Sequence, residues 1–319
     1  MPDEPDVIRA MIESAGRLPS RYMKIGDDVA VVPVSRKKLV LKVDMLVERT
    51  DVPKGMTYRQ AARKAVAMCI SDFAAKGVRP DSFMISLGLR RETTDAEVEE
   101  LAKGFKDAEK KWRILLVGGD TNEAGELVID CVMVGFASSV VGRSGARPGD
   151  VLVVTGPFGF PPAGLSILSG RTKAEGSFRR KALESVLSPN PSLETGMALA
   201  PYLTSSMDSS DGLARSLHTL ASMSGVGFEV DPLPMGQGVE GFAKTNGLDA
   251  NHLVLAGGEE FVIVGTVNPR KLGNARRAVK RAGGELFVIG KATGEPKRIF
   301  LRSGRAAKQI PDEGWTHLS

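Results

Sequence analysis

Histidine and cysteine are scarce, with three of the first and two of the second in 319 residues. His218, His252 and His317 are scattered and no Cys/His group has metal-ligand spacing. Zinc enzymes and Ser-His-Asp hydrolases therefore lose their usual carriers. Cys69 and Cys131 each sit inside an apolar segment and read as buried, reduced thiols. No apolar run reaches the roughly 18 residues that a membrane span needs. The basic runs Arg36-Lys37-Lys38 and Arg276-Arg277 carry no interleaved aromatics on which bases would stack, so nucleic acid is not an expected partner. The GxxxxGK[ST] phosphate loop is missing. A lone GxGxxG, Gly236 to Gly241, follows Asp231-Pro232-Leu233-Pro234 rather than a strand and reads as a loop decoy. The acidic opening Met1 to Asp6 lacks the order of a signal peptide, so a cytoplasmic location is expected.

What is present is a globular composition, 42% hydrophobic and 25% charged, whose net charge of +5 suits anionic ligands. The length exceeds that of one ordinary core, which predicts two domains. Strand and helix patterns alternate along both halves. Val29–Val34 and Leu39–Val47 read as strands, and Thr57 caps a long helix that Gly77 ends. A capping box opens at Thr94 with Glu97. The Gly- and Pro-dense stretch from Gly142 to Asp150 divides an N-terminal domain, 1–141, from a C-terminal domain, 142–319. Beyond it, a helix is expected from Ser210 and a strand over Glu260–Val267. The fold class is α/β, two mixed α/β domains of similar size.

Carboxylates recur where these elements end: Gly26-Asp27-Asp28, Asp44, Ser71-Asp72, Gly118-Gly119-Asp120, Met207-Asp208 and Ser210-Asp211-Gly212. Singly, each has a plain role as a turn or a helix cap. Two resist it. Asp72 borders the apolar stripe Ala62, Ala65, Val66, Cys69 and Phe73, and Asp44 lies inside the apolar run Leu39–Val47. A charge in such a place needs a partner, which a basic residue or Mg²⁺ could supply. Lys42, two residues before Asp44 in a strand, projects to the same side. It either neutralises Asp44 or meets phosphate as a point charge in place of one ion.

Read in order, Ile25-Gly26-Asp27-Asp28, Val43-Asp44-Met45-Leu46-Val47, Ser71-Asp72-Phe73-Ala74-Ala75-Lys76-Gly77, Gly118-Gly119-Asp120-Thr121, the stretch from Arg143 to Asp150, Thr155-Gly156, Ala163-Gly164-Leu165, the run from Asp208 to Leu213 and Gly257-Gly258-Glu259-Glu260 resemble the thiamine-monophosphate kinase family over nearly the whole chain. The resemblance implies the fold of aminoimidazole ribonucleotide synthetase and a homodimer whose N-terminal domains form a joint β-barrel. It implies ATP as co-substrate with several Mg²⁺ ions, thiamine monophosphate as acceptor, and an N-terminal domain that binds both ATP and metal. Asp28, Asp44, Asp72, Asp120, Asp208 and Asp211 match its metal ligands, while Gly119, Arg143 and Ser210 match its nucleotide contacts. Asp120, Asp211 and Arg143 would stand nearest the chemistry. Glu259 and Trp315 match contacts to the thiamine end of the acceptor.

Three departures from the family are visible. Lys42-Val43 replaces Ser-Thr, Asp51-Val52 replaces His-Phe and so puts Asp51 at the acceptor, and Glu259-Glu260 replaces Glu-Asp. The acceptor's phosphate is largely ionised at neutral pH, its second pKa being about 6, so transfer would be direct and need no general base. Alternatives are the same chemistry on another small phosphorylated acceptor, or non-catalytic nucleotide binding. Selenophosphate synthetases need a reactive residue near the N-terminus, and hydrogenase-maturation dehydratases a terminal Cys; this chain supplies neither.

Overall fold

A computed structural model describes residues 30–34, 37–304 and 306–316. In the first half, β1 (Ala30–Val34), β2 (Lys37–Val47) and the one-turn helix α1 (Glu48–Asp51) lead into α2 (Tyr58–Lys76). There follow β3 (Pro80–Leu89), α3 (Asp95–Trp112), β4 (Leu115–Glu123) and β5 (Val128–Ala137). The five strands form one sheet in the order β1-β2-β5-β3-β4. It is antiparallel except for β3 and β4, which the α3 crossover makes parallel.

Helix α2 starts where the sequence says it should. Thr57 Oγ1 accepts from the Gln60 amide at 3.2 Å while Gln60 Oε1 accepts from the Thr57 amide at 2.9 Å, a reciprocal cap. The helix ends at Gly77 in the left-handed region. Its burial is wider than a single stripe. Lys64, Ala67, Ile70, Ser71, Asp72 and Lys76 are buried as well as Ala62, Ala65, Val66, Cys69 and Phe73. One side lies on the sheet, another against α3, and a third against the second half of the chain. Cys69 and Cys131 are buried free thiols, as expected. Burial pushes the Cys69 thiol well up.

The second half carries β6 (Val151–Val154), α4 (Phe160–Leu168), α5 (Gly176–Leu187), α6 (Leu193–Leu199), β7 (Leu203–Asp208), α7 (Leu213–Ser224) and β8 (Gly227–Val230). After these come α8 (Val239–Thr245), α9 (Ala250–Ala256), β9 (Ile263–Val267), α10 (Leu272–Arg281), β10 (Phe287–Thr293), β11 (Ile299–Ser303) and β12 (Ala306–Gln309). Its seven-stranded sheet runs β12-β11-β8-β10-β6-β9-β7. Gly236 to Gly241 is not wholly loop: Gly238 precedes the seven-residue α8, and the segment still does not follow directly on a strand.

The halves are fastened through α2. Leu193 of α6 belongs to the first half's hydrophobic core. A Cβ at Gly196 would stand 2.2 Å from the Ala74 carbonyl oxygen, so only glycine permits this approach. Lys76 Nζ donates to the Ser206 carbonyl at 2.5 Å, and Ser206 Oγ donates to the Ala75 carbonyl at 2.7 Å.

Among the described residues, nothing covers one face of the first sheet. Val43, Met45, Met84 and Phe136 are exposed there, and edge strand β4 is exposed along its length. Among the described residues the sheet is open and no closed barrel forms.

Because Gly196 meets backbone that cannot step aside, Gly196→Ala should destabilise the protein by about 1–3 kcal/mol. Thermal unfolding followed by circular dichroism checks this through a lowered midpoint.

Candidate active site in the cleft between the halves

Four separate parts of the chain meet where the two sheets approach each other. Strand β2 pairs Asp44 with Cys131 and Lys42 with Met133, which puts Lys42 and Asp44 on the face that packs on α2. Helix α2 aligns Lys64, Met68 and Asp72 at intervals of four. The end of β7 delivers Asp208, followed by Ser210 and Asp211. Gly258, Glu259 and Phe261 come from the loop before β9, Trp315 from the tail, and Arg143 from the linker. All line one cleft of about 470 Å³, within the usual size of a small-ligand site.

Backbone hydrogen bonds knit this cleft together. The Glu259 amide donates to the Ser210 carbonyl at 2.6 Å and the Phe261 amide to the Ser209 carbonyl at 3.1 Å. The Trp315 amide donates to the Asp211 carbonyl at 3.0 Å. Two expected elements start late for local reasons. Helix α7 begins at Leu213 rather than Ser210, because Gly212 has φ 108° and packs on the Gly257 carbonyl at 3.0 Å from an ideal Cβ. Strand β9 begins at Ile263 rather than Glu260, because Glu259 and Phe261 sit in the left-handed region at φ 63° and 48°. For residues other than glycine that conformation persists only when surrounding contacts impose it.

The charges are arranged in pairs. Lys42 Nζ lies 2.8 Å from Asp72 Oδ2 and 3.1 Å from Asp44 Oδ1. Burial alone would lower the Lys42 pKa, but the carboxylates of Asp72 and then Asp44 override it and hold the ammonium well above its ordinary value. For Asp44, burial pushes the carboxyl upward and the nearby Asp208 carboxylate adds to this, against the pull of Lys42. Lys64 Nζ is buried between the Asp51 carbonyl, at 2.8 Å, and Glu259 Oε1. Asp51 lines the cleft, yet its Oδ2 already accepts from the Val47 amide at 2.8 Å and from Thr50 Oγ1 at 2.9 Å.

Of the residues singled out in the sequence, Lys42, Asp44, Asp51, Asp72, Arg143, Asp208, Ser210, Asp211, Glu259 and Trp315 meet in this cleft. Gly119 and Asp120 do not line it. Asp120 pairs with Ser86 of β3, whose partner on β5 is Asp130, whereas Asp44 shares its partner Cys131 with Ile85. Asp120 thus lies on exposed edge strand β4, on the sheet face opposite to Asp44. Asp28 falls outside the described residues. Lys64 and Met68 were not singled out, although their four-residue spacing to Asp72 was available to read.

Among the described residues no three carboxylate, histidine or cysteine side chains gather closely enough to enclose a metal ion. The donor set of Asp44, Asp72, Asp208 and Asp211 nevertheless suits Mg²⁺, which takes one or two carboxylates and completes its shell with water and substrate phosphates. A larger cavity, about 560 Å³ beside Arg79, Trp112 and Arg113, has a single carboxylate, Glu194, already held by Arg79 at 2.9 Å. It lacks the groups for such an ion.

Family models match both halves of the chain. "AIR synthase related protein, N-terminal domain" matches residues 26–137, and "AIR synthase related protein, C-terminal domain" matches residues 147–301. The thiamine-monophosphate kinase of Nitrosopumilus maritimus is 36% identical, over 99% of this chain and 98% of its own. That of Pyrococcus horikoshii is 34% identical, over 99% of this chain and 96% of its own. The solved structure of AaThiL complexed with AMPPCP and TMP superposes with a TM-score of 0.87 at 27% identity, covering 99% of this chain and 97% of that one. The chain belongs to the thiamine-monophosphate kinase family.

Glu260, next to the cleft, is buried and accepts from the Gly159 amide at 2.5 Å. Burial pushes its carboxyl well above the ordinary range, outweighing that hydrogen bond. A carboxyl raised in the native state contributes stability that falls as pH rises from the ordinary carboxyl value towards the folded one. Glu260→Gln should remove this fall over the pH range above the ordinary carboxyl value. Unfolding midpoints of both proteins across that range check it, and parallel curves would count against a buried protonated carboxyl.

Proposed function

We propose that this chain transfers the γ-phosphoryl group of ATP to thiamine monophosphate, giving thiamine diphosphate and ADP. The observation that carries this reading is the mixed lining of one cleft, which holds Asp44, Asp72, Asp208 and Asp211 with Lys42 and Arg143, and also Trp315, Phe261, Met68 and Glu259. The first set fits a triphosphate with divalent ions. The second fits an aromatic, nitrogen-bearing acceptor. The family's relatives are named for this activity, and one was solved with AMPPCP and TMP.

Residues 1–141 would form the ATP- and Mg²⁺-binding half and 142–319 the other. Asp44, Asp72, Asp208 and Asp211 would hold Mg²⁺ on the phosphates, with Asp28 and Asp120 as further ligands. When bound, the ions would neutralise charge on two polyanions that otherwise repel. Arg143 would add a fixed positive charge, and Ser210 and Gly119 would contact nucleotide. Lys42 has three N–H bonds and gives two to Asp72 and Asp44, leaving one for a phosphate oxygen. It also lowers the mutual repulsion of those carboxylates. Among the described residues that line the cleft there is no histidine or cysteine, which agrees with an acceptor phosphate that arrives ionised.

A homodimer belongs to the same proposal. The uncovered face with Val43, Met45, Met84 and Phe136, together with exposed edge strand β4, is the kind of surface a second copy covers. A barrel shared by two such sheets would remove both the open face and the open edge. Gly119 and Asp120 lie on that edge, so their proposed roles depend on how the second copy packs.

Chromatographic detection of thiamine diphosphate from ATP, Mg²⁺ and thiamine monophosphate tests the function. Formation in step with ADP is expected, whereas ADP alone, or transfer only to another acceptor, would refute it. Trp315→Ala should raise the acceptor KM by about two- to tenfold, the value of one aromatic contact, and leave the KM for ATP nearly unchanged. Equal rises in both would assign Trp315 to packing.

A further inference from the structure

Lys64 is a charged side chain at 1% exposure, and its neighbours along α2, Ala61, Ala62, Ala65, Val66 and Ala67, are buried and apolar. Ordering and desolvating an ammonium is costly, and it persists only with partners of good geometry. Its partners belong to two segments distant in sequence. Nζ donates to the Asp51 carbonyl at 2.8 Å, at the end of α1, and to Glu259 Oε1 in the loop before β9. Glu259 Oε2 is also buried and has no hydrogen-bond partner among the described residues, while the residue itself is one of those that line the cleft. A buried carboxylate oxygen left without a donor is uncommon and points to a group that supplies one.

The Glu259 backbone is held as firmly as its side chain. Its φ of 63° is maintained by the amide hydrogen bond to the Ser210 carbonyl at 2.6 Å. Backbone and Lys64 together leave the carboxylate little freedom to turn. With Oε1 taken by the ammonium, Oε2 is the oxygen left without a donor.

We infer that Lys64 is a positioning residue for the acceptor: it fixes the Glu259 carboxylate so that Oε2 meets an N–H donor or cationic ring of the bound acceptor. This rests on the acceptor reading proposed above and adds to it a residue that touches neither ATP nor the transferred phosphoryl group. An aminopyrimidine supplies such a donor, and a thiazolium ring such a charge. Through the Asp51 carbonyl, the same ammonium also ties the end of α1 to the wall of the cleft.

Steady-state kinetics on the full chain, with ATP and thiamine monophosphate varied separately, test this for Lys64→Met, Glu259→Gln and the double variant. Lys64→Met should raise the acceptor KM by roughly tenfold or more, the scale of a hydrogen bond to a charged group. The KM for ATP should stay within about twofold. In the Glu259→Gln background the uncharged amide no longer needs the ammonium, so adding Lys64→Met should change the acceptor KM by no more than about twofold. An unchanged acceptor KM in Lys64→Met, a matching rise in the KM for ATP, or multiplying effects in the double variant would overturn the inference. If Lys64→Met alone does not fold, a double variant that folds with the acceptor KM of Glu259→Gln supports it, and one that does not fold overturns it. A wild-type protein inactive on thiamine monophosphate would instead defeat the functional proposal.

Discussion

Three charged side chains buried on one helix constrain how this molecule is put together. Lys64, Asp72 and Lys76 all lie on α2, and each is at most 4% exposed. None could be left there without partners, and the partners that the structure shows come from elsewhere. Asp72 takes Lys42 from β2, Lys64 takes Glu259 and the Asp51 carbonyl, and Lys76 takes the Ser206 carbonyl on β7. Two of the three therefore reach into the second half of the chain. Satisfying them draws β7 and the loop before β9 onto the helix, and this is where the cleft forms. The apolar contacts of Leu193 and the close approach at Gly196 add area and shape to the same junction.

The cleft inherits its polarity from that arrangement. The end of β7 brings Asp208 and Asp211 beside Asp44 and Asp72, so carboxylates from both sheets share one wall. Lys42 between two of them sets a limit on their repulsion, yet Asp208 still weighs on Asp44. Such a wall is short of positive charge by itself and is completed by cations that arrive with a phosphate ligand. Trp315 and Glu259, which line the same cleft, add the features of a site for a flat nitrogen-bearing ring.

Much of this could be read along the chain because local chemistry decides it. The caps at Thr57 and Thr94 locate the starts of α2 and α3, and both helices begin one residue later. Acidic residues at element ends marked the cleft wall, since Asp44 and Asp72 stood out as charges in apolar surroundings. What was not legible depends on tertiary contact. Helix α5 has no side-chain cap to announce it, and β11 and β12 are short strands whose places come from strand pairing and, for β11, from Ile299 in the core. The left-handed residues Glu259 and Phe261 delay β9 through contacts with Ser209 and Ser210, about fifty residues earlier. Lys64 was not singled out, because its carboxylate partner, Glu259, lies 195 residues away in the sequence. Asp120 was grouped with the other carboxylates, whereas strand register sets it on the face of the sheet opposite to Asp44, and Gly119 beside it lies on the edge strand outside the cleft.

The most direct measurement is a crystal structure of the protein with a non-hydrolysable ATP analogue, Mn²⁺ and thiamine monophosphate, with the metal located by anomalous scattering. Manganese should appear between the analogue's phosphates and the carboxylates of Asp44, Asp72, Asp208 and Asp211, with the acceptor's rings against Trp315 and Glu259. Nucleotide seated in the cavity beside Arg79 and Trp112, or metal bound away from these four carboxylates, would contradict the cleft as the place of phosphoryl transfer.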